Sequence, residues 1–130
     1  MLKAMIVGAG AISDSHIEGY RALADRVRIV AVVDTDLSRA QTKIRQFGLE
    51  AEAFTDYRTA LDRAGIGLVS VCTPPSAHAP VTIGCLEAGA HVIVEKPMAP
   101  SLRECDAMIA AAQKAGRLLS PVAQLRFKEA

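Results

Sequence analysis

Met5-Ile6-Val7-Gly8-Ala9-Gly10-Ala11-Ile12-Ser13 decides the fold. It joins a short apolar run, residues 2–7, to two closely spaced glycines. Beyond them Ile12, Ile17, Tyr20 and Leu23 recur at intervals that fit one face of a helix. A strand that turns through glycine directly into a helix opens a βαβ unit. Gly8 permits the tight turn. Gly10 has no side chain to hold a pyrophosphate away from the backbone N–H groups at the positive end of the helix, which makes Gly8, Gly10, Ala11 and Ile12 candidate dinucleotide-binding positions. Ser13 stands where G-x-G-x-x-G has its third glycine, a weaker match; an isolated motif of this kind can be only a strand-to-helix turn, a reading that its context here disfavours.

The rest of the chain repeats the alternation. Residues 28–33 read as a second strand closed by Asp34. Asp36 then caps a helix with Leu37, Ala40, Ile44 and Phe47 on its inner face and Gly48 at its C-cap. A weak third strand over 50–54, a short helix over 57–64 and a fourth strand over 67–72 follow. The next helix is expected over 77–88, with Pro80 in its first turn, and the fifth strand over 90–94. Ser101-Leu102-Arg103-Glu104 has the form of a capping box, opening a helix that runs to Gly116, and 118–124 reads as a sixth strand. Strands written as continuous apolar runs are covered on both faces, so the sheet is expected to be parallel. Right-handed crossovers then make an α/β fold, a doubly wound sheet of order 3-2-1-4-5-6, the simplest topology. Ligands of such sheets bind outside the carboxyl ends of the strands where strand order reverses, here between the first and fourth.

Composition narrows the partner. Fifteen basic residues against fourteen acidic leave a net charge of +1, with no basic run, so nucleic acid is not an expected partner and a small molecule is. The chain is 51% apolar, yet its apolar runs fall short of the roughly 18 to 20 residues a membrane span needs. The first strand begins so near Met1 that no signal peptide is expected, and the reading is a cytoplasmic protein. Cys72, Cys85 and Cys105 are odd in number and lack metal-ligand spacing, which fits free thiols in a reducing compartment and no metal site.

Several side chains are predicted to meet the ligand edge. Asp34, about 25 residues beyond the glycines, is placed to accept hydrogen bonds from the adenosine ribose hydroxyls. Its charge would repel a 2′-phosphate, so NAD is expected over NADP. Arg39 and Lys43 are read as a solvated helix face. Thr73-Pro74-Pro75-Ser76-Ala77-His78 and Glu95-Lys96-Pro97 follow the fourth and fifth strands. An isolated Glu or Lys at a sheet rim is most often merely solvated.

Taken together, Gly8-Ala9-Gly10, Asp34, the T-P-x-x-x-H of Thr73 to His78 and the E-K-P of Glu95 to Pro97 resemble the N-terminal domain of the Gfo/Idh/MocA oxidoreductases. The likeness spans essentially the whole chain. It implies a Rossmann domain over residues 1–125, with 126–130 starting the crossing to a larger α/β domain, and a sugar, cyclitol or related polyol held between the two. It implies further that Lys96 is the catalytic residue of this half of the site, bonding the oxygen at which hydride is exchanged, and that Glu95 holds the nicotinamide ribose. An ammonium so placed stabilises the charge developing on that oxygen and can relay a proton. Thr73 and Pro74 would wall the cleft through their backbone, and a tight reversal would make the Lys96–Pro97 bond cis. For His78 two readings stay open: a phosphate or nicotinamide-pocket contact, and a histidine facing solvent at a helix start. His16 and His91 match no motif and are read as structural, and nothing marks Cys72 as a nucleophile. Without its second domain the chain is expected to lack a full substrate site and to expose apolar surface that favours a homo-oligomer. Two other functions fit parts of the pattern. A non-catalytic dinucleotide-binding or redox-sensing module has no use for Lys96, and a methyltransferase leaves Glu95-Lys96-Pro97 unexplained.

Overall fold

The computed structural model describes residues 1–122. Its elements alternate as β1 (Leu2–Val7), α1 (Ser13–Arg21), β2 (Val27–Val33), α2 (Leu37–Phe47), β3 (Glu52–Phe54), α3 (Tyr57–Ala64), β4 (Leu68–Val71), α4 (Pro75–Glu87), β5 (His91–Val94), α5 (Leu102–Ala115) and β6 (Leu119–Pro121). The strands form one sheet in the order β3-β2-β1-β4-β5-β6, and every pairing is parallel. This is the doubly wound Rossmann topology expected from the apolar pattern.

Alternation along β1 builds two cores. Ala4 and Ile6 point to one side with Ile17 and Tyr20 of α1 and Ala40 of α2. Met5 and Val7 point to the other with Leu86 of α4 and Met108 of α5. Helices on both faces explain why the central strands carry almost no polar residues. Among the buried positions of the described strands Ser70 on β4 is the polar exception, fully buried.

The helix ends follow local chemistry. Asp36 accepts a hydrogen bond from the Ser38 N–H, and Gly48 closes α2 at φ 61°, the left-handed cap that glycine adopts without strain. Ser101 accepts from the Glu104 N–H, but Glu104 does not return the bond, since its Oε2 is buried without a partner among the described residues. The expected capping box is therefore half formed.

Some boundaries differ from the sequence reading. The helix α1 starts at Ser13, so Ile12 and Leu23 fall outside it and stay 38% and 46% exposed, leaving Ile17 and Tyr20 as its buried face. Leu37 is exposed as well, and Ala40 carries the buried contact of α2. The helix α4 begins at Pro75, two residues early, because a proline at the first helical position has no N–H for the helix to miss. Pro80 consequently lies in the second turn and withholds one i→i−4 hydrogen bond. The strands β3, β4 and β5 are shorter than expected, and β6 starts one residue late. Continuation of the sixth strand to residue 124 and the domain limit at 125 and 126 lie outside the described residues. No described helix is long and apolar enough to cross a membrane.

Candidate functional site

The glycine turn sits where strand order reverses, with β1 between β2 and β4. Gly8 donates to the Val33 carbonyl and Cys72 to the Val7 carbonyl, both at 2.7 Å, so the turn is fastened on both flanks. Gly8 has φ 99°, and a Cβ there would lie 2.7 Å from the Cys72 carbonyl carbon and oxygen and 2.9 Å from the Thr73 nitrogen. No other residue fits. Gly10 differs, because a Cβ there would meet only the Arg39 guanidinium, at 3.9 Å. Its bareness serves open space, not packing. Among the described residues the N–H groups of Gly10, Ala11 and Ile12 donate no hydrogen bond, and they precede the positive end of α1. Unclaimed donors at a helix start suit an anion.

Asp34, at the end of β2, completes this half. Its Oδ2 accepts from the Ala9 N–H at 2.9 Å and its Oδ1 from the Asp36 N–H at 2.9 Å. A carboxylate offers about four lone-pair sites, so two bonds leave capacity for ligand hydroxyls. Beside it opens a cleft of about 780 Å³, walled by Gly8, Gly10, Asp34, Thr73 and Pro74 among others. Thr35, Arg39, Thr55, Asp56 and Tyr57 also line it and were not among the sequence candidates. The rule that ligands gather at carboxyl ends of strands would have found four of these, since Thr35 follows β2 and residues 55–57 follow β3. Arg39 is exposed, as expected of a solvated helix face, yet its guanidinium reaches back over Gly10. Lys43 departs from that expectation entirely. It is only 8% exposed, ion-paired with Asp14 of α1 and lying over the Phe47 ring, so its amine serves α1–α2 packing.

Ala11, Ile12, His78, Glu95 and Lys96 lie outside the walls of that cleft. The last three form a second cluster at the ends of β4 and β5. His78 is 1% exposed, which removes the solvent-facing alternative. Its Nδ1 lies 2.8 Å from the Pro97 carbonyl oxygen and its Nε2 2.7 Å from that of Thr73. The ring thus lies between the Thr73-Pro74 and Lys96-Pro97 segments, and a neutral ring, with one N–H, donates to only one of the two carbonyl oxygens. The Lys96–Pro97 peptide bond is cis. Glu95 is 5% exposed, whereas Lys96 is exposed at the rim.

His16 corrects the sequence reading, which gave it no motif partner. Its Nε2 lies 3.4 Å from Oε2 of Glu95 and its Nδ1 2.9 Å from Oγ of Ser70, which in turn is 2.6 Å from the Tyr20 hydroxyl. No sequence signal connects residues 16, 70 and 95, because only the sheet order brings them together. His91 accepts from the Leu118 N–H and is structural. Burial, and then the Glu95 charge, push the Cys72 thiol up to about 12, so this cleft-lining cysteine stays protonated and is no nucleophile.

Free N–H donors, an open face at Gly10 and a carboxylate with spare acceptors fit a dinucleotide. Residues 2–122 match the model of an oxidoreductase family with an NAD-binding Rossmann fold. An inositol 2-dehydrogenase of Salmonella typhimurium is 32% identical over 125 residues, spanning 96% of this chain and 37% of its own length. A D-glucoside 3-dehydrogenase of Escherichia coli is 34% identical over 119 residues, 92% of this chain and 34% of its own. Among solved structures, the WlbA dehydrogenase from Bordetella pertussis in complex with NADH and UDP-GlcNAcA superposes with a TM-score of 0.90 at 29% identity, covering 98% of this chain and 38% of that one. The chain thus spans little more than a third of the length of the relatives it matches. With its fold, glycine turn and match over residues 2–122, this chain belongs to the Gfo/Idh/MocA oxidoreductases and is their NAD-binding Rossmann domain.

Proposed function

We propose that this domain serves reversible hydride transfer between a nicotinamide dinucleotide and a secondary alcohol of a sugar, cyclitol or related polyol. The observation that carries this is the juxtaposition of two clusters on one sheet edge: a glycine turn fastened to Asp34, and Glu95-Lys96 beside it at the end of β5. The names of the inositol and glucoside dehydrogenases support the substrate class. In this reading the N–H groups of Gly10, Ala11 and Ile12 hold the pyrophosphate, and Gly8 shapes the turn that presents them. Asp34 accepts from the adenosine ribose and selects NAD over NADP. Thr73 and Pro74 form the cleft wall, and His78 holds that wall against the Lys96–Pro97 segment. The bound dinucleotide supplies the hydride donor or acceptor. Glu95 binds the ribose on the nicotinamide side, and the Lys96 ammonium bonds the substrate oxygen and stabilises its developing charge. Three free cysteines are compatible with a cytoplasmic setting. Exposed Leu102, Ile109 and Leu118 offer apolar area for a second domain or a second copy of the chain.

Calorimetric titration of the chain with NADH and, separately, NADPH tests the cofactor half. Saturable binding that favours NADH is expected, and equal affinities would remove Asp34 as the selector. The competing reading is a dinucleotide-binding module without catalysis. Lys96→Ala separates the two in a polypeptide that also carries a substrate domain: turnover falls at least about 100-fold if Lys96 is catalytic, and no change would favour the module.

A further inference from the structure

Buried Tyr20, Ser70 and Glu95 and half-buried His16 form a chain that neither the cleft nor the glycine turn uses. It runs from the inner face of α1, across β4, to the end of β5. For a neutral His16 ring facing an ionised Glu95, hydrogen bonding allows one consistent assignment. Carboxylate Oε2 of Glu95 only accepts, so His16 donates from Nε2. With that proton on Nε2, Nδ1 accepts the Ser70 hydroxyl proton, and Ser70 Oγ is left to accept from the Tyr20 hydroxyl. Every proton is used once. The reverse order, with Nδ1 donating to Ser70 and Ser70 to Tyr20, leaves the Tyr20 proton without an acceptor among the described residues, at a side chain that is almost wholly buried. All donors therefore point toward Glu95. Its second oxygen, Oε1, accepts nothing among the described residues, at the carboxyl end of a strand next to the switch point.

From this we infer that His16 is a positioning residue: backed by Ser70 and Tyr20, it holds one oxygen of Glu95 so that the other faces a ligand hydroxyl. The inference rests on the reading above that Glu95 meets the nicotinamide-side ribose. It adds what orients that carboxylate. The His16–Glu95 contact, at 3.4 Å, is the longest of the three links, so the hold is orientational and depends on the fixed ring, which Ser70 anchors from a fully buried strand position.

The test compares NADH with ADP, which lacks the nicotinamide riboside. Glu95→Ala should weaken NADH at least about fivefold while leaving ADP unchanged. His16→Ala should do the same, and the double variant should lose no more than either single one, since coupled residues are not additive. His16→Gln, which restores an N–H donor on a flexible stem, should recover part of the loss. Nitrogen-15 NMR of the unsubstituted chain should find the His16 proton on Nε2, a readout that needs no variant to fold. If Glu95→Ala lowers the NADH-to-ADP preference and His16→Ala does not, the positioning role is overturned while the ribose reading stands. If neither variant changes that preference, the ribose reading fails and takes the positioning role with it. A proton found on Nδ1 also overturns the inference, whatever the variants do.

Discussion

The two ends of the ligand edge are built in different ways. At the glycine turn, backbone does the holding: Gly8 presses against the Cys72 and Thr73 backbone, and Asp34 ties Ala9 to Asp36 through main-chain N–H groups. At the end of β5, side chains do it. His78 joins two loops, His16 reaches Glu95, and Lys96 stands exposed. If the turn and Asp34 hold the dinucleotide as proposed, the first arrangement couples ligand binding to folding, because the same atoms serve both. The second leaves the Lys96 amine nearly independent of the fold.

Substitution of the glycines breaks this contrast most sharply. Gly8→Ala forces a Cβ into backbone at 2.7 Å and a left-handed φ on an L residue, so a loss of at least about 3 kcal/mol is expected in urea unfolding of the chain. Gly10→Ala should change stability by less than about 0.5 kcal/mol, since a Cβ there has only the mobile Arg39 tip nearby. Its cost should instead appear as weaker NADH binding. Similar unfolding midpoints for the two variants would mean that the turn is not rigid.

Asp34 comes next. Replacing it by alanine removes the acceptor of two backbone N–H groups, one of them part-buried, and about 1 to 2 kcal/mol of stability should go with it. NADH affinity should fall as well. A variant that keeps full stability and loses affinity would show that the Ala9 and Asp36 bonds contribute little, and would make Asp34 a ligand group alone.

How much of this was open to inspection in the sequence depends on which forces set each feature. The sheet order was legible because continuous apolar strands and right-handed crossovers leave few alternatives. Gly8, Asp34 and the two later motifs were legible because each follows a strand and the fold sends strand ends to one edge. The burial of Lys43 was not, since a helix face written with charges gives no sign that α1 will supply Asp14 as a partner. The His16-Ser70-Glu95 contacts were hidden for a similar reason: each residue belongs to a different element, and only tertiary packing brings them within reach. His78 was half legible. Its motif marked the position, but its engagement with two carbonyl oxygens depends on where the chain passes after β5.

The alkaline limb of stability probes the seam between the two ends. Burial raises the Cys72 and Cys85 thiols from an ordinary 9.0 to about 12, and the Tyr20 phenol from 10.0 to about 12. In each case the unfolded chain loses its proton first. Stability is therefore full below pH 9 and declines as pH rises from there toward 12. Urea midpoints measured at pH 8 and pH 10.5 should differ in that direction, and a flat profile would mean that these groups are more hydrated than their burial suggests. Cys72 should resist iodoacetamide at pH 8 while half-buried Cys105 reacts.

The smallest expected effect is the most discriminating. Lys96 is exposed and makes no hydrogen bond or ion pair among the described residues, so Lys96→Ala should leave the unfolding midpoint within about 0.5 kcal/mol of the parent. If Lys96 acts on the substrate oxygen as proposed, NADH affinity should barely move either, because such a group contributes to the transition state and not to cofactor binding. A silent substitution at this position is what a side-chain-built half of the site requires: the fold presents Lys96 without relying on it. Should Lys96→Ala instead destabilise the chain as Asp34→Ala does, the β5 end would share the backbone-coupled design of the glycine turn. An exposed amine would then have to be explained as part of the fold.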